Sequence, residues 1–444
     1  MNVVISFVNA TWSADDEWAM PCFYESFIRE MRNLGHDLLV FHAPNDSLAP
    51  QTVADLKRRV LKFSPDLVIA FNNFGPDYAS FCDCPILVYE VDSVLYYYGQ
   101  DWIRRNPNRY FYCVAQQECR TILLEKYAVE ERRVVEVPFF TSVQAESCEK
   151  RFNISFVGSR FAGRRFPWHD FMRGNPTRAQ ISSYQRLLDE LRDNPFRSSG
   201  EWMAEYPDLE LNAKTIHALI FGLSAEKRVQ VLSSVATLGL RIFGTSQWLQ
   251  GGGECAELYL AYDRTPVYSL RHNQDLYNES RVCLNVNHLQ AVSAFSWRVC
   301  DIMASTGCLC TEYRPNLERC FPGLNIPTFT NKIEAYAQCK RLLESEALRE
   351  DISMSSRQAI DRGHRFIHVA RRLDEAFDLG LVADRGGGGL SPSLGQSKDG
   401  NRGRGPSCMH LNSFFPCCRQ LGRSPKSATT STESSRVCGI EVEK

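Results

Sequence analysis

The chain has 444 residues, 44% of them hydrophobic and 23% charged, with a formal net charge of −1. That length suits two or three domains of ordinary soluble composition, and the near-neutral charge removes any global case for a nucleic-acid or membrane-surface partner. No stretch approaches the roughly 20 apolar residues of a membrane-spanning helix, so no transmembrane segment is expected. The opening MNVVISFVNA lacks the basic flank of a signal peptide, which sets a cytoplasmic expectation. Seventeen cysteines are scattered without framework spacing and read as reduced thiols. Cys82-x-Cys84 and Cys308-x-Cys310 are at most halves of a metal site and more often small apolar residues in or beside strands. No protein-bound metal and no cofactor are expected.

Taken in order, Asn2 to Val8 is an apolar run that suits a first buried strand, followed by a polar loop. Cys22 to Gly35 carries Phe23, Phe27, Met31 and Leu34 at near-helical spacing, with Gly35 as its stop. His36 to Phe41, Asp66 to Phe71, Pro85 to Glu90, Cys113 to Ala115 and Val134 to Val137 read as further strands, with a helix over Val53 to Phe63. Strands alternating with helices at this pitch predict a doubly wound parallel sheet, whose ligands gather beyond the carboxyl ends of its strands. No G-x-G-x-x-G follows the first strand, which counts against an NAD or FAD enzyme. The polar residues at strand ends are Asn9, His42, Asn72, Asn73, Asp92 and Ser93. Asp92 either caps a helix starting near Leu95 or acts on a substrate hydroxyl as base or orienting group.

Residues 139–150 are polar and read as a hinge. Phe152 to Val157 is a clear strand, and Gly158-Ser159-Arg160 after it joins small residues to a guanidinium that can pair with phosphate. Arg164 and Arg165 add positive charge. Residues 178–232 are mostly helical and carry no chemical motif. Leu238 to Phe243 is the next strand, with Gly244-Thr245-Ser246-Gln247-Trp248 as its loop. Trp248 is either a nucleobase-stacking ring or a rim aromatic. Val267-Tyr268 reads as a short strand before a helix at Asp275-Leu276-Tyr277. Then come a strand over 281–287, a loop with Ser293, a helix from Ser296 to Ala304, Gly307 as its left-handed stop, and a strand at Cys308-Leu309-Cys310. Taken alone, Arg298 and Asp301 fit a surface ion pair one turn apart. After Ala383 the composition breaks into four glycines and a Ser/Pro/Gly/Arg-rich tail, expected to be disordered.

Two segments together carry a family resemblance. Asp275-Leu276-Tyr277, Ser280 and Leu284-Asn285 match D-L-Y-x-x-S-x-x-x-L-N. Arg298, Asp301, Ala304 and Gly307 match R-x-x-E/D-x-x-A-x-G-G. This pair resembles the C-terminal domain of GT-B glycosyltransferases, specifically the spore-maturation (CgeB-type) group. Thr306 stands where the group has its first glycine, and Asp301 replaces the commoner Glu. The likeness continues through Leu238 to Trp248, Phe321 to Phe329, the helix Lys332 to Leu343, and His364-Arg365-Phe366, which leads into a last helix, Ile367 to Leu379, with its basic residue at Arg371 or Arg372. It is specific over residues 150–375 and diffuse over 1–150.

The resemblance implies an α/β chain of the GT-B fold, two Rossmann-like doubly wound domains facing a cleft. Residues 1–145 would form the acceptor-side domain and 151–366 the nucleotide-sugar-binding domain. Residues 367–383 would be a helix crossing back, and 384–444 the disordered tail. It implies a glycosyltransferase, metal-independent, that moves a sugar from a nucleotide-diphospho-sugar to an acceptor that is a polysaccharide, protein, lipid or small molecule. Asp92 would be catalytic. Gly158, Ser159, Arg160, Gly244, Trp248, Tyr277, Ser293, Ser296, Arg298 and Asp301 would bind the donor, with Arg298 on the diphosphate and Asp301 on the ribose. The alternatives are a catalytically degenerate binding or regulatory protein, and another GT-B-fold enzyme such as a nucleotide-sugar epimerase.

Overall fold

The first sheet grows outward from Asn2–Val8 (β1), whose residues Val3 to Phe7 are all fully buried. An apolar run covered on both faces is what a central parallel strand requires. Its one polar member, Ser6, donates through Oγ to the carbonyl of Phe74. A computed structural model describes residues 1–8, 20–43, 48–161, 171–172, 174–194, 199–209, 213–251 and 255–382. Asn9, Arg164, Arg165 and the glycine-rich tail lie outside them. From β1 the chain runs through Cys22–Asn33 (α1), Asp37–Ala43 (β2), Pro50–Phe63 (α2), Leu67–Phe71 (β3), Ile86–Tyr89 (β4), Gln100–Arg105 (α3), Phe111–Val114 (β5), Gln117–Tyr127 (α4) and Val134–Glu136 (β6). All pairings are parallel, in the order β2-β1-β3-β4-β5-β6.

The second sheet begins with Phe152–Val157 (β7). Three helices follow, Arg178–Asp193 (α5), Ser199–Glu205 (α6) and Ala213–Val235 (α7), before Leu240–Phe243 (β8). They hold a core of their own built on Tyr184, Leu187, Leu191, Trp202, Tyr206 and Leu223. Then come Ala256–Ala261 (α8), Leu270–Glu279 (α9), Ser280–Asn285 (β9), Arg298–Ala304 (α10), Cys308–Glu312 (β10), Pro315–Cys320 (α11), Thr328–Phe329 (β11), Lys332–Glu344 (α12), Glu346–Gly363 (α13) and Phe366–Phe377 (α14). This sheet is parallel too, in the order β11-β10-β9-β7-β8. The doubly wound pair of domains expected from the alternation is therefore the architecture observed.

Three local expectations are corrected. Val267 and Tyr268 form no strand; Tyr262 makes the isolated bridge, to Ile242. The 139–150 segment is no free hinge, because Phe139 to Val143 are buried and hydrogen-bonded. Thr141 N–H donates to the carbonyl of His364, and Arg365 donates to that of Val143 at 2.6 Å. Gly307 is not a left-handed stop: α10 ends at Ser305, and Gly307 is absent from the positive-φ positions. What requires glycine there is space. A Cβ at Gly307 would sit 2.4 Å from the Tyr277 carbonyl oxygen and 2.6 Å from Cys283 Sγ.

Gly307→Ala should therefore destabilise by about 1–3 kcal/mol, since backbone cannot yield as a side-chain tip can. Gly363→Ala, where nothing lies within 4 Å, should change stability by less than about 0.5 kcal/mol. Urea unfolding of the two variants in parallel checks the contrast.

Candidate functional site

The carboxyl ends of β9 and β10 carry a buried polar network. Asn285 donates to Thr311 Oγ1 (2.9 Å) and to Asn287 Oδ1 (3.1 Å). Glu312, 4% exposed, accepts from the Asn287 N–H at 2.9 Å and pairs with Lys227 at 2.6 Å and Arg314 at 2.9 Å. Burial alone would raise the Glu312 carboxyl, but Arg314 and Lys227 pull it below its ordinary value. Lys227 is itself pushed down to about 8 by burial, against the pull of Glu312.

Arg228 follows Lys227 on α7 and is 5% exposed. Burial, with the charge of Arg298 nearby, lowers it to about 9. One Nη donates to the Ser159 carbonyl at 2.7 Å, and the guanidinium lies 4.2 Å from the Phe161 ring centroid. Its Nε has no hydrogen-bond partner among the described residues. Arg298, at the start of α10, lies over Trp297 and donates to Ser296 Oγ, and it forms no ion pair among the described residues. Lys227 and Arg314 thus share the Glu312 carboxylate, while Arg228 and Arg298, close enough to repel, form no ion pair among the described residues. A buried guanidinium beside a like charge, with an orphan donor, fits an anion.

Beside them the loops after β7 and β8 touch. Gly244 has φ +138°, and a Cβ there would lie 2.5 Å from the Gly158 carbonyl oxygen. No other residue type closes that gap without moving the backbone. Thr245 Oγ1, next in the loop, is buried without a partner among the described residues.

The first sheet presents its own carboxyl edge to this region. Asn72 and Asn73, after β3, both adopt left-handed backbone, φ 51° and 58°. Asn72 accepts from the N–H groups of Val91 and Asp92 and donates to Asp92 Oδ2 at 2.9 Å. Gln290, from the loop after β9, donates to Asp92 Oδ1 at 2.6 Å. Burial lifts the Asp92 carboxyl, partly offset by these two amides. The same loop is held by Gln116, whose side-chain oxygen accepts from the Val292 N–H. Gln116 in turn donates to Glu90, a carboxyl 2% exposed and raised by burial to about 8.

The structure brings together Asp92, Gly158, Ser159, Arg160, Gly244, Ser296 and Arg298 around the facing edges, and corrects several others. Asp92 caps no helix: the 3-10 turn Val94–Tyr96 has Ser93 as N-cap and no side-chain cap bond. Trp248 is neither a rim ring nor open to a base. It is 2% exposed, packs edge-on to Phe156 and donates to the Gly158 carbonyl at 2.7 Å. Tyr277 is 1% exposed and donates to Asn273 within α9. Ser293 donates to Glu118 of the first domain at 2.6 Å, not towards the cations. Asp301 is 3% exposed, accepts from Thr141 Oγ1 at 2.7 Å and faces Cys22 Sγ at 3.6 Å. It makes no surface pair with Arg298 and is instead buried against Thr141 and Cys22 of the first domain and connecting segment. The sequence reading missed Arg228 and Glu312, which stood in a helix and a strand end without a motif. The only advance signal was the charged Glu226-Lys227-Arg228 run following the apolar stretch Ala218 to Leu223.

His364, 4% exposed, is a buried hinge histidine. It stacks on Phe321 at 4.4 Å, bonds the Phe139 carbonyl at 3.2 Å, and is lowered by burial. With Arg372, Glu136 and Arg319 it lines a separate cavity of about 240 Å³.

Residues 227–375 match the family model described as glycosyl transferase-like, a span that begins at Lys227 and takes in Arg228, Arg298, Glu312 and Arg314. Among solved structures the chain is similar to sucrose-phosphate synthase from Thermosynechococcus elongatus, with a TM-score of 0.52 at 9% identity over 85% of this chain and 98% of that one. The fold is GT-B. Also similar is WaaG, a glycosyltransferase involved in lipopolysaccharide biosynthesis, with TM-score 0.48, 9% identity, and coverage of 85% and 100%. A third is Anabaena HepE, in complex with UDP-glucose, with TM-score 0.45, 8% identity, and coverage of 85% and 99%. No curated protein matches the sequence. Among the described residues no helix is long and apolar enough to cross a membrane.

Burial raises Asp301 from 3.8 to about 6, so the folded protein binds a proton there that the unfolded chain has released. Its contribution to stability is therefore greatest below about pH 4, is lost as pH rises to about 6, and is flat above. Asp301→Asn keeps an oxygen for Thr141 and should remove that slope, making the variant more resistant to unfolding than the parent at pH 7 but not at pH 4. Thermal melts across pH 4–8 read this directly.

Proposed function

We propose that this chain is a cytoplasmic, metal-independent glycosyltransferase that moves a sugar from a nucleotide-diphospho-sugar to an acceptor hydroxyl, and that within GT-B it falls in the CgeB-type group. The observation that carries the reading is Arg228, buried with an orphan Nε beside the like charge of Arg298, at the carboxyl edge of the second sheet. Residues 1–145 take the acceptor side and 151–366 the donor side. The cytoplasmic setting rests on free cysteines, most of them buried, throughout the described residues.

In the transfer, the bond from the anomeric carbon to the diphosphate breaks while the acceptor oxygen bonds that carbon. The charge that grows on the leaving diphosphate is met by Arg228 and Arg298, held in place beforehand by Ser159, Ser296, Phe161 and Trp297. Gly158 and Gly244 let backbone approach the phosphates, and Arg160 and Thr245 add donors. Asp92, its carboxyl raised by burial, takes or orients the acceptor proton. Gln290 must release Asp92 for that step. That same contact favours a second reading, a GT-B-fold binding protein without turnover; hydrolysis of a nucleotide sugar by the purified protein separates the two.

Thermal-shift screening against UDP, GDP, ADP, CMP and dTDP is the first test. A ligand at 100 times its dissociation constant stabilises by about 2.7 kcal/mol, and Arg228→Ala and Arg298→Ala should each abolish the shift. A shift that survives in both variants refutes the anion site. Asp92→Asn should keep the shift while lowering kcat by about 10²–10⁴. A kcat within twofold of the parent removes Asp92 from the chemistry.

A further inference from the structure

The helical insertion α5–α7 sends one ring into the candidate site from outside the family match. Phe221 of α7 packs edge-on to His288, centroids 4.5 Å apart, and to Phe161, 5.3 Å apart. Phe161 and His288 close the triangle at 4.9 Å. All three rings are only half-buried, so part of each ring's surface stays open to solvent. Phe161 also has φ 58°, a left-handed backbone that a bulky residue seldom adopts and that collects at functional sites.

The triangle's position narrows what it can hold. Phe161 underlies the Arg228 guanidinium at 4.2 Å, so a sugar bonded directly to an anion on Arg228 lies within reach of it. The side is set by Gln290, two residues after His288, whose amide bonds Asp92 of the first domain. The rings therefore stand on the acceptor-facing side of the cations.

We propose that Phe161, Phe221 and His288 form a platform for the transferred sugar of the donor, so that the helical insertion selects which sugar is moved. A pyranose presents one face of C–H groups that packs on aromatic carbon, while its hydroxyls stay at the rim. Rigid rings supply that area at little entropic cost. The proposal rests on the nucleotide-sugar reading above.

Phe221 is the residue to change, because it does not contact Arg228. UDP, GDP and ADP, and a hexose conjugate of each, are titrated calorimetrically into the parent, Phe221→Ala and the volume-conserving Phe221→Leu. For the base that the parent binds, both variants should keep the dissociation constant of the bare diphosphate within twofold. They should weaken the nucleotide sugar by about fivefold. Equal effects on both ligands, or none on either, overturn the platform while leaving the donor site standing. So does a parent that binds a diphosphate but none of the conjugates. A parent that binds no nucleotide at all brings down the nucleotide-sugar reading and the platform with it.

Discussion

Phe23 and Phe27 of α1 pack on Phe140, at 5.3 and 5.9 Å, and Phe27 also meets Phe366 at 5.2 Å. Phe23 further touches Trp297, the residue before Arg298, at 5.6 Å. These rings come from the first domain, the connecting segment, the last helix and the second domain. They join one continuous core that includes Val3, Ile69 and Leu87 of one sheet and Cys283 and Leu309 of the other. Each buried aromatic is worth about 1.5–3 kcal/mol, so the domains are held by an interior and not by a tether. That holds the two carboxyl edges facing one another, and everything chemical in the molecule depends on that opposition.

Given the opposition, the polar groups sort by what they can reach. Asp301 and Thr141 fall inside the shared core and tie it. Lys150 donates to the Thr306 carbonyl and hydroxyl at 2.9 Å and to the Asn278 carbonyl at 2.7 Å. Thr306 thus adds an anchor between the connecting segment and the start of β10. Nearer the open side, the loop after β9 is clasped by Asp92, Gln116 and Glu118, while Arg228 keeps an orphan Nε and Arg298 forms no ion pair among the described residues.

How much of this could be read in advance follows from where the signal lay. Parallel strands buried on both faces leave runs such as VVISF and LVIAF, and glycine-bearing strand ends mark Gly158 and Gly244. Those were legible. Trp248, Tyr277 and Asp301 were not, because a motif gives position along the chain and not which side of a sheet edge a side chain faces. Each points into packing and bonds a neighbour there. Arg228 was hidden for the converse reason: a charged run on a helix looks like surface until the helix is found against a strand end.

The sequence by itself determined the alternation of strands and helices, the parallel sheets it implies, and the strand ends where a ligand would gather, because these are local periodicities. Only the tertiary structure decided that Lys227 and Arg314 share one carboxylate, that Asp92 meets Gln290 across 198 residues, and that Phe221 of α7 meets Phe161, the ring under Arg228. Such juxtapositions depend on which faces pack together, and burial in a shared core, which no local pattern records, sets them.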